Sequence, residues 1–350
     1  MDTSDLYDDI LARAYMAYDR LKDLMKEIYP EKWYDSTLKL EIIDSDEING
    51  KSWCEETTDH VEMNKGVIEV YYRYFRKVSE SLENQVLKNI VPDEREEIDQ
   101  VSFESVTFKN GEIELIDSKI MVEDVARLLE VFVSRFILMH ELGHIFNGHC
   151  SYLADNNKSG LNYMPMYFNE EEEQEKHISA LDIRTMEMDA DAFAATQGFQ
   201  HVLHLYNHFA TDVMVQGILP LDLFFWWMFA LRSHFLLCED HFMDHQYYRE
   251  MSHLPSSARW NLVMGSIDSI LHTNAFDIDV DVEKIYDKLV NGAIGAEKIF
   301  NEIKFTSYSW REALERDKDD FIEYGSEVQA NWKQLRDKLE DYSRLYLYDD

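Results

Sequence analysis

Apolar residues recur at helical spacing over residues 6–28, as Leu, Ile, Ala, Tyr and Met, until Pro30 stops the run. This spacing predicts an amphipathic opening helix. Residues 37–43 alternate apolar and polar positions and predict a strand, and His60-Val61-Glu62-Met63-Asn64 alternates in the same way. That second strand runs through Lys65-Gly66 into an aromatic-rich helical pattern over residues 67–78. Asn110-Gly111, between residues 103–108 and 112–115, is a strong two-residue hairpin signal. Downstream, residues 118–147 form a long apolar pattern without proline and predict a helix. After Arg259 the chain reads mostly as amphipathic helices, with no internal repeats. The expected fold class is α+β, mostly helical with a small sheet. A principal domain over residues 1–265 would carry a helical region, 266–350, packed on it.

One stretch calls for a membrane test. In residues 219–237 the core from Leu223 to Leu231 is uninterrupted by charge, but Asp222 and Arg232 bound it. A span needs about 20 apolar residues, so a buried helix is expected here, with residues 202–218 as its hairpin partner. Residues 156–176 include Glu170 to Glu173 and Glu175, and predict a solvated surface loop.

Composition narrows the partners. Asp and Glu number 69 against 34 Lys and Arg, a formal net charge of -35, which disfavours nonspecific binding to nucleic acid or anionic lipid. Cys54, Cys150 and Cys238 lack disulfide or metal spacing and predict reduced thiols. The acidic N-terminus has no basic segment followed by an apolar core, so no secretory signal is expected and a cytoplasmic setting is.

The candidate chemistry lies in His140-Glu141-Leu142-Gly143-His144, an H-E-x-x-H motif within the long helical pattern. Residues four apart share a helix face, so His140 and His144 can hold one metal ion with Glu141 beside it. Val131, Phe132, Phe136, Ile137, Met139 and Leu142 supply apolar surroundings. A third histidine at metzincin spacing is absent: Asn147 and Cys150 occupy the required glycine and histidine positions, with Gly148 and His149 out of frame. Glu187-Met188-Asp189-Ala190-Asp191-Ala192-Phe193-Ala194 offers a glutamate instead. Glu187 and Asp191 share a face, so Glu187 can reach the metal while Asp191 bonds the free ring nitrogen of a ligand histidine. Ala190 and Ala194 are small enough for two helices to approach closely. Glu141 would be the general base toward water.

H-E-L-G-H followed by E-x-x-A-D-x-x-A resembles the gluzincin peptidases, in particular the CAAX prenyl proteases and their bacterial heat-shock relatives. The extended H-E-L-G-H-I-x-x-G-H, from His140 to His149, also resembles the Lit-type phage-exclusion peptidases. Ser252-His253-Leu254-Pro255-Ser256-Ser257-Ala258-Arg259 is similar to the prenyl-protease H-P-x-x-x-x-R segment, with Leu254 where that group carries proline. The resemblance implies a gluzincin-like core holding one Zn²⁺ per chain through His140, His144 and Glu187. It further implies that His253 stabilises the oxyanion and that Arg259 buttresses the carboxylates. In the gluzincin layout, His60, Val61, Glu62, Met63 and Asn64 would be the edge strand that borders the site and pairs with an extended substrate. The implied activity is a zinc-dependent endopeptidase acting on an intracellular protein or peptide, in phage defence or stress response. A metal-binding regulatory or toxin–antitoxin component without turnover is the alternative, and Glu141, which zinc binding does not need, argues against it.

Overall fold

The computed structural model describes residues 3–32, 35–89, 101–102, 106–109, 112–115, 122–156, 164–165, 178–208, 220–238, 256–272, 281–307, 309–316 and 318–347. Helix α1 (Thr3–Ile28) leads into strands β1 (Thr37–Ile43), β2 (Gly50–Glu55) and β3 (Thr58–Asn64), then helix α2 (Lys65–Asn89). A second, antiparallel sheet joins β4 (Val101–Ser102), β5 (Val106–Lys109) and β6 (Glu112–Leu115). The expected hairpin is present as the β5–β6 pair, while its turn, Asn110-Gly111, lies outside the described residues. Helices α3 (Val122–Phe146) and α4 (His149–Asn156), strand β7 (Met164–Pro165) and helices α5 (Ala180–Asn207) and α6 (Asp222–Cys238) follow. The chain continues through α7 (Ser256–His272), α8 (Val282–Lys304), α9 (Trp310–Arg316) and α10 (Lys318–Leu339). The architecture is α+β and mostly helical.

The first sheet has the order β1-β3-β2-β7, and this corrects one expectation. Strand β3 is internal: Val61 is partnered by Leu40 of parallel β1 on one side and by Ser52 of antiparallel β2 on the other. His60, Val61, Glu62, Met63 and Asn64 therefore have both edges occupied and cannot add a substrate strand. Val61 and Met63 point into the core, and the His60 ring stacks on Trp53 at 4.5 Å between centroids. The unexpected neighbour is β2, whose hairpin with β3 turns at Glu56 with φ 51. A glutamate in this left-handed position carries none of the Asn-Gly signal that marks such turns in a sequence.

Helix α6, buried from Asp222 to Leu237, is the expected apolar helix, covered chiefly by α8 and α3. Its bounding charges meet partners: Lys288 pairs with Asp222, and Arg232 binds Glu297 at 2.8 Å. Buried charges persist when they are paired this way, which is why this run sits inside a protein core. No helix among the described residues is long and apolar enough to cross a membrane. Residues 209–218 of the expected hairpin partner lie outside the described residues, as does most of the acidic stretch 156–176. The expected boundary at residue 265 falls within α7, and residues as far as Phe300 share the main core with α1 and α3.

The C-terminal end is locked to the sheet by a buried ion pair. Arg344 donates to both carboxylate oxygens of Asp59 on β3 and to Ser36 Oγ at 3.0 Å, while Tyr18 of α1 donates to Asp59 at 2.6 Å. The backbone N–H of Arg344 also donates to Phe146 O at 2.9 Å, satisfying a carbonyl at the end of α3. Removing one partner of a buried pair leaves the other uncompensated, so Arg344→Ala should lower stability by about 3–5 kcal/mol. Urea unfolding monitored by circular dichroism checks this. The Asp59→Asn, Arg344→Met double variant should recover much of the loss, because it leaves no buried charge unpaired.

Candidate metal centre

Helices α3 and α5 approach closely where Gly143 meets Ala190: a Cβ on Gly143 would stand 3.2 Å from the Ala190 Cα. Glycine on one helix and alanine on the other let the backbones draw near. That approach brings His140 and His144, one turn apart on α3, against Glu187 on α5. Ser179 caps α5 by accepting from Asp182 N at 3.0 Å and fixes where the helix starts, two turns before Glu187.

The three side chains converge. Glu187 Oε2 lies 3.4 Å from His140 Nε2, and Glu187 Oε1 lies 3.4 Å from His144 Nε2. Two donors bound at about 2.1 Å to a tetrahedral ion stand about 3.4 Å apart, so these separations match the edges of such a site. The two Nε2 atoms are 3.0 Å apart. All three residues are buried, and their donor atoms fit within 4.8 Å of one another, so the group could hold a metal ion. Glu141 is also buried, 1% exposed, next to the first histidine and beside Ser52 of β2.

Charge balance explains why a cation suits this place. Glu141, Glu187 and Asp191 are buried together, and the countercharge given by sequence pattern is Arg259 of α7. Arg259 donates to Asp191 through Nε at 2.7 Å and Nη2 at 2.8 Å, and stands 3.7 Å from Glu187. Three carboxylates against one guanidinium leave a deficit that one divalent ion would cancel. Without it, protons answer the deficit. Burial pushes Glu141 up to about 7. Burial also opposes charge on His140, yet Asp191 and Glu187 outweigh it and raise that imidazole to about 10. Burial depresses His144 to about 3. Although burial disfavours the Asp191 carboxylate, Arg259 holds it down at about 2.

Each histidine is oriented by a separate chain of contacts. His140 Nδ1 lies 2.9 Å from Asp191 Oδ1, the arrangement expected from the shared face of Glu187 and Asp191. His144 Nδ1 instead meets His149 Nδ1 at 2.9 Å, and His149 Nε2 lies 3.2 Å from Asp189 Oδ2. Asn147 Nδ2 donates to the same Asp189 oxygen. Keeping Nε2 of His144 free for a metal requires its proton on Nδ1, which makes His149 accept there and donate from Nε2 to Asp189. This tautomer places the His149 Nε2 proton 3.2 Å from the Asp189 carboxylate. Sequence reasoning assigned no role to His149 or Asp189. Their meeting depends on Gly148, whose φ of 84 turns the chain from α3 into α4 and swings His149 back over His144.

His253, expected near the oxyanion, lies outside the described residues, as does His177. Arg259, expected to support the carboxylates, is placed against Asp191. Residues 60–64 are separated from this role by their internal place in the sheet.

The purified protein should carry about one divalent ion per chain, as expected of a site with three protein ligands. Elemental analysis should find it lost from the His140→Ala, His144→Ala double variant; near-stoichiometric metal remaining there would exclude this assignment. Asp191→Asn and His149→Phe should each weaken metal retention roughly 10 to 100-fold in a chelator competition, because each removes the group that orients one histidine.

Against protein-family models, curated proteins and solved structures, the chain has no match, so its function rests on the chemistry of this site.

Proposed function

We propose that this chain is a zinc-dependent endopeptidase of gluzincin type. The observation that carries the reading is the convergence of His140, His144 and Glu187 with a fourth buried group, Glu141, that holding a metal does not require. Two imidazoles and one carboxylate are the ligand set of several catalytic zinc sites and leave a coordination position open. Zinc held there would supply Lewis acidity toward water and a carbonyl oxygen. The remaining work falls to the chain's own residues.

Glu141 would take the proton from the attacking water and return it to the leaving amine. Its carboxyl, raised to about 7 by burial, suits a group that both accepts and donates near neutrality. Arg259 and Asp191 would hold His140 in one orientation throughout, and His149 with Asp189 would do the same for His144. His253 belongs to this proposal through the family resemblance, as a hydrogen-bond donor to the oxyanion. The substrate class is an intracellular protein or peptide, in keeping with three free cysteines. Phage exclusion or stress response is the setting that the resemblance implies. Because Glu141 and the three candidate ligands are buried, peptide access requires an opening step, and turnover would be restrained until it occurs.

Glu141→Gln separates this reading from a metal-binding regulator. The amide keeps the shape but cannot accept the water's proton, so the variant should retain its metal and fold while hydrolysis falls by about 100-fold or more. Wild type and variant are incubated with a cell lysate and new peptide N-termini are compared by mass spectrometry. Cleavages present with wild type and missing with the variant are expected. Identical termini in both samples would move the site to a structural or regulatory role.

A further inference from the structure

A second cavity lies between α1 and the α3–α5 pair, away from the metal-ligand cluster. Its main chamber has a volume of about 210 Å³ and an apolar wall that includes Ala14, Ala17, Leu40, Met63 and Leu138. For scale, an apolar cavity of about 150 Å³ takes up benzene. A smaller lobe of about 90 Å³ adjoins it, shares Ala17, Arg20, Arg135 and His201, and adds the polar side chains Gln197 and Gln200. The space is therefore amphipathic, with an apolar chamber opening into a polar mouth.

The charge lining the cavity runs against the rest of the molecule. Arg13, Arg20 and Arg135 line the main chamber, and no Asp or Glu lines either lobe among the described residues. In a chain of net charge -35, such a concentration of one sign is not the background composition. Arg135 is half-buried, and its Nε is shielded from solvent without a hydrogen-bond partner. The nearby Ser134 hydroxyl is committed to Glu130. Burial and the facing charge of Arg20 pull Arg135 down to about 10. Burial first, then Arg135 and the neighbouring cations, hold His201 at about 3. Arg20 and Arg135 repel each other, both repel a protonated His201, and no acidic partner faces Arg135 among the described residues, where its Nε stays without a hydrogen bond.

We propose that this cavity binds a small amphipathic carboxylate, its hydrocarbon part in the α1–β1–α3 chamber and its head group between Arg20 and Arg135. A guanidinium pair matches a carboxylate in charge and hydrogen-bond geometry. A bare inorganic anion would leave the apolar chamber unfilled, and a neutral hydrocarbon would leave the arginines uncompensated. The site is independent of the metal centre.

The test titrates the full chain with decanoate, 1-decanol and decyltrimethylammonium below their micelle-forming concentrations, read by calorimetry and by thermal unfolding. Decanoate should bind saturably with one site per chain and raise the unfolding temperature, the alcohol should bind more weakly, and the cation should not bind. A charge-assisted hydrogen bond contributes enough that Arg135→Gln should weaken decanoate about tenfold or more. That variant should unfold no earlier than wild type without ligand, since it removes a desolvated, repelled cation. Ala17→Leu, which fills the junction of the two lobes, should reduce binding independently of charge. Equal binding of all three amphiphiles, or decanoate binding unaffected by both Arg135→Gln and Ala17→Leu, would overturn the proposal. So would absence of saturable decanoate binding to wild type.

Discussion

Buried carboxylates without enough countercharge govern the centre of this protein. Asp191 is secured by two hydrogen bonds from Arg259, which also stands 3.7 Å from Glu187, and Glu141 shares the same dry space. Taking a carboxylate out of water costs several kcal/mol, as an order of magnitude, unless charge and hydrogen bonds replace its hydration. The structure answers in two ways. It raises the proton affinity of His140 and Glu141, and it aims two imidazole nitrogens and a carboxylate at one point. A divalent cation at that point resolves the imbalance without protonating either group. Packing of α3 on α5 and the affinity for such an ion are thus one problem, because the Gly143 to Ala190 approach that completes the core also creates the charge deficit.

The rest of the fold holds that approach in register. Arg344 caps α3 through Phe146 O and anchors β3 through Asp59, so the C-terminal residues tie the helix that carries His140 and His144 to the central strand. The same region bounds the turn at Gly148: a Cβ there would stand 2.7 Å from Ser343 N, so the turn that delivers His149 to His144 is fitted against the C-terminal segment. Loss of Arg344 would therefore act on the support of one histidine as well as on stability. The other histidine depends on α7 through Arg259. The two ligands on α3 are thus steadied by different parts of the chain.

What could be read in the sequence follows from how local each relation is. His140 and His144 are four apart on one helix, and Glu187 and Asp191 four apart on another, so spacing alone placed each pair on a shared face, with Glu141 beside the first. The buried α6 was legible because a short apolar run bounded by charges is too brief for a bilayer. Relations between distant elements were not legible. Asp59 and Arg344 are 285 positions apart, and neither has a pattern that points to the other. His149 was visible as part of an extended motif, but its ring turns back through a glycine with positive φ, which spacing does not encode. Strand β3 was recognised by its alternation, yet its place inside the sheet depends on β2, whose turn lacked a sequence signal. Strand order is a property of the assembled sheet, and alternation reports only which face is buried.

The same two helices carry opposite electrostatic demands along their length. On α3, Arg135 precedes His140 by five residues, a rise of about 7.5 Å, and on α5, His201 follows Asp191 by ten, about 15 Å. Glu141, Glu187 and Asp191 are buried in one stretch of the pair, and Arg135 and His201, which repel each other, lie in another. Rigid helical spacing keeps the two stretches apart. Arg135 cannot turn to Glu187 without unwinding the segment that positions His140, and the core against α2 and α6 opposes such unwinding through Val133, Phe136 and Ile137. The helical spine thereby keeps the Glu141–Glu187–Asp191 cluster and the Arg135–His201 pair a few turns apart.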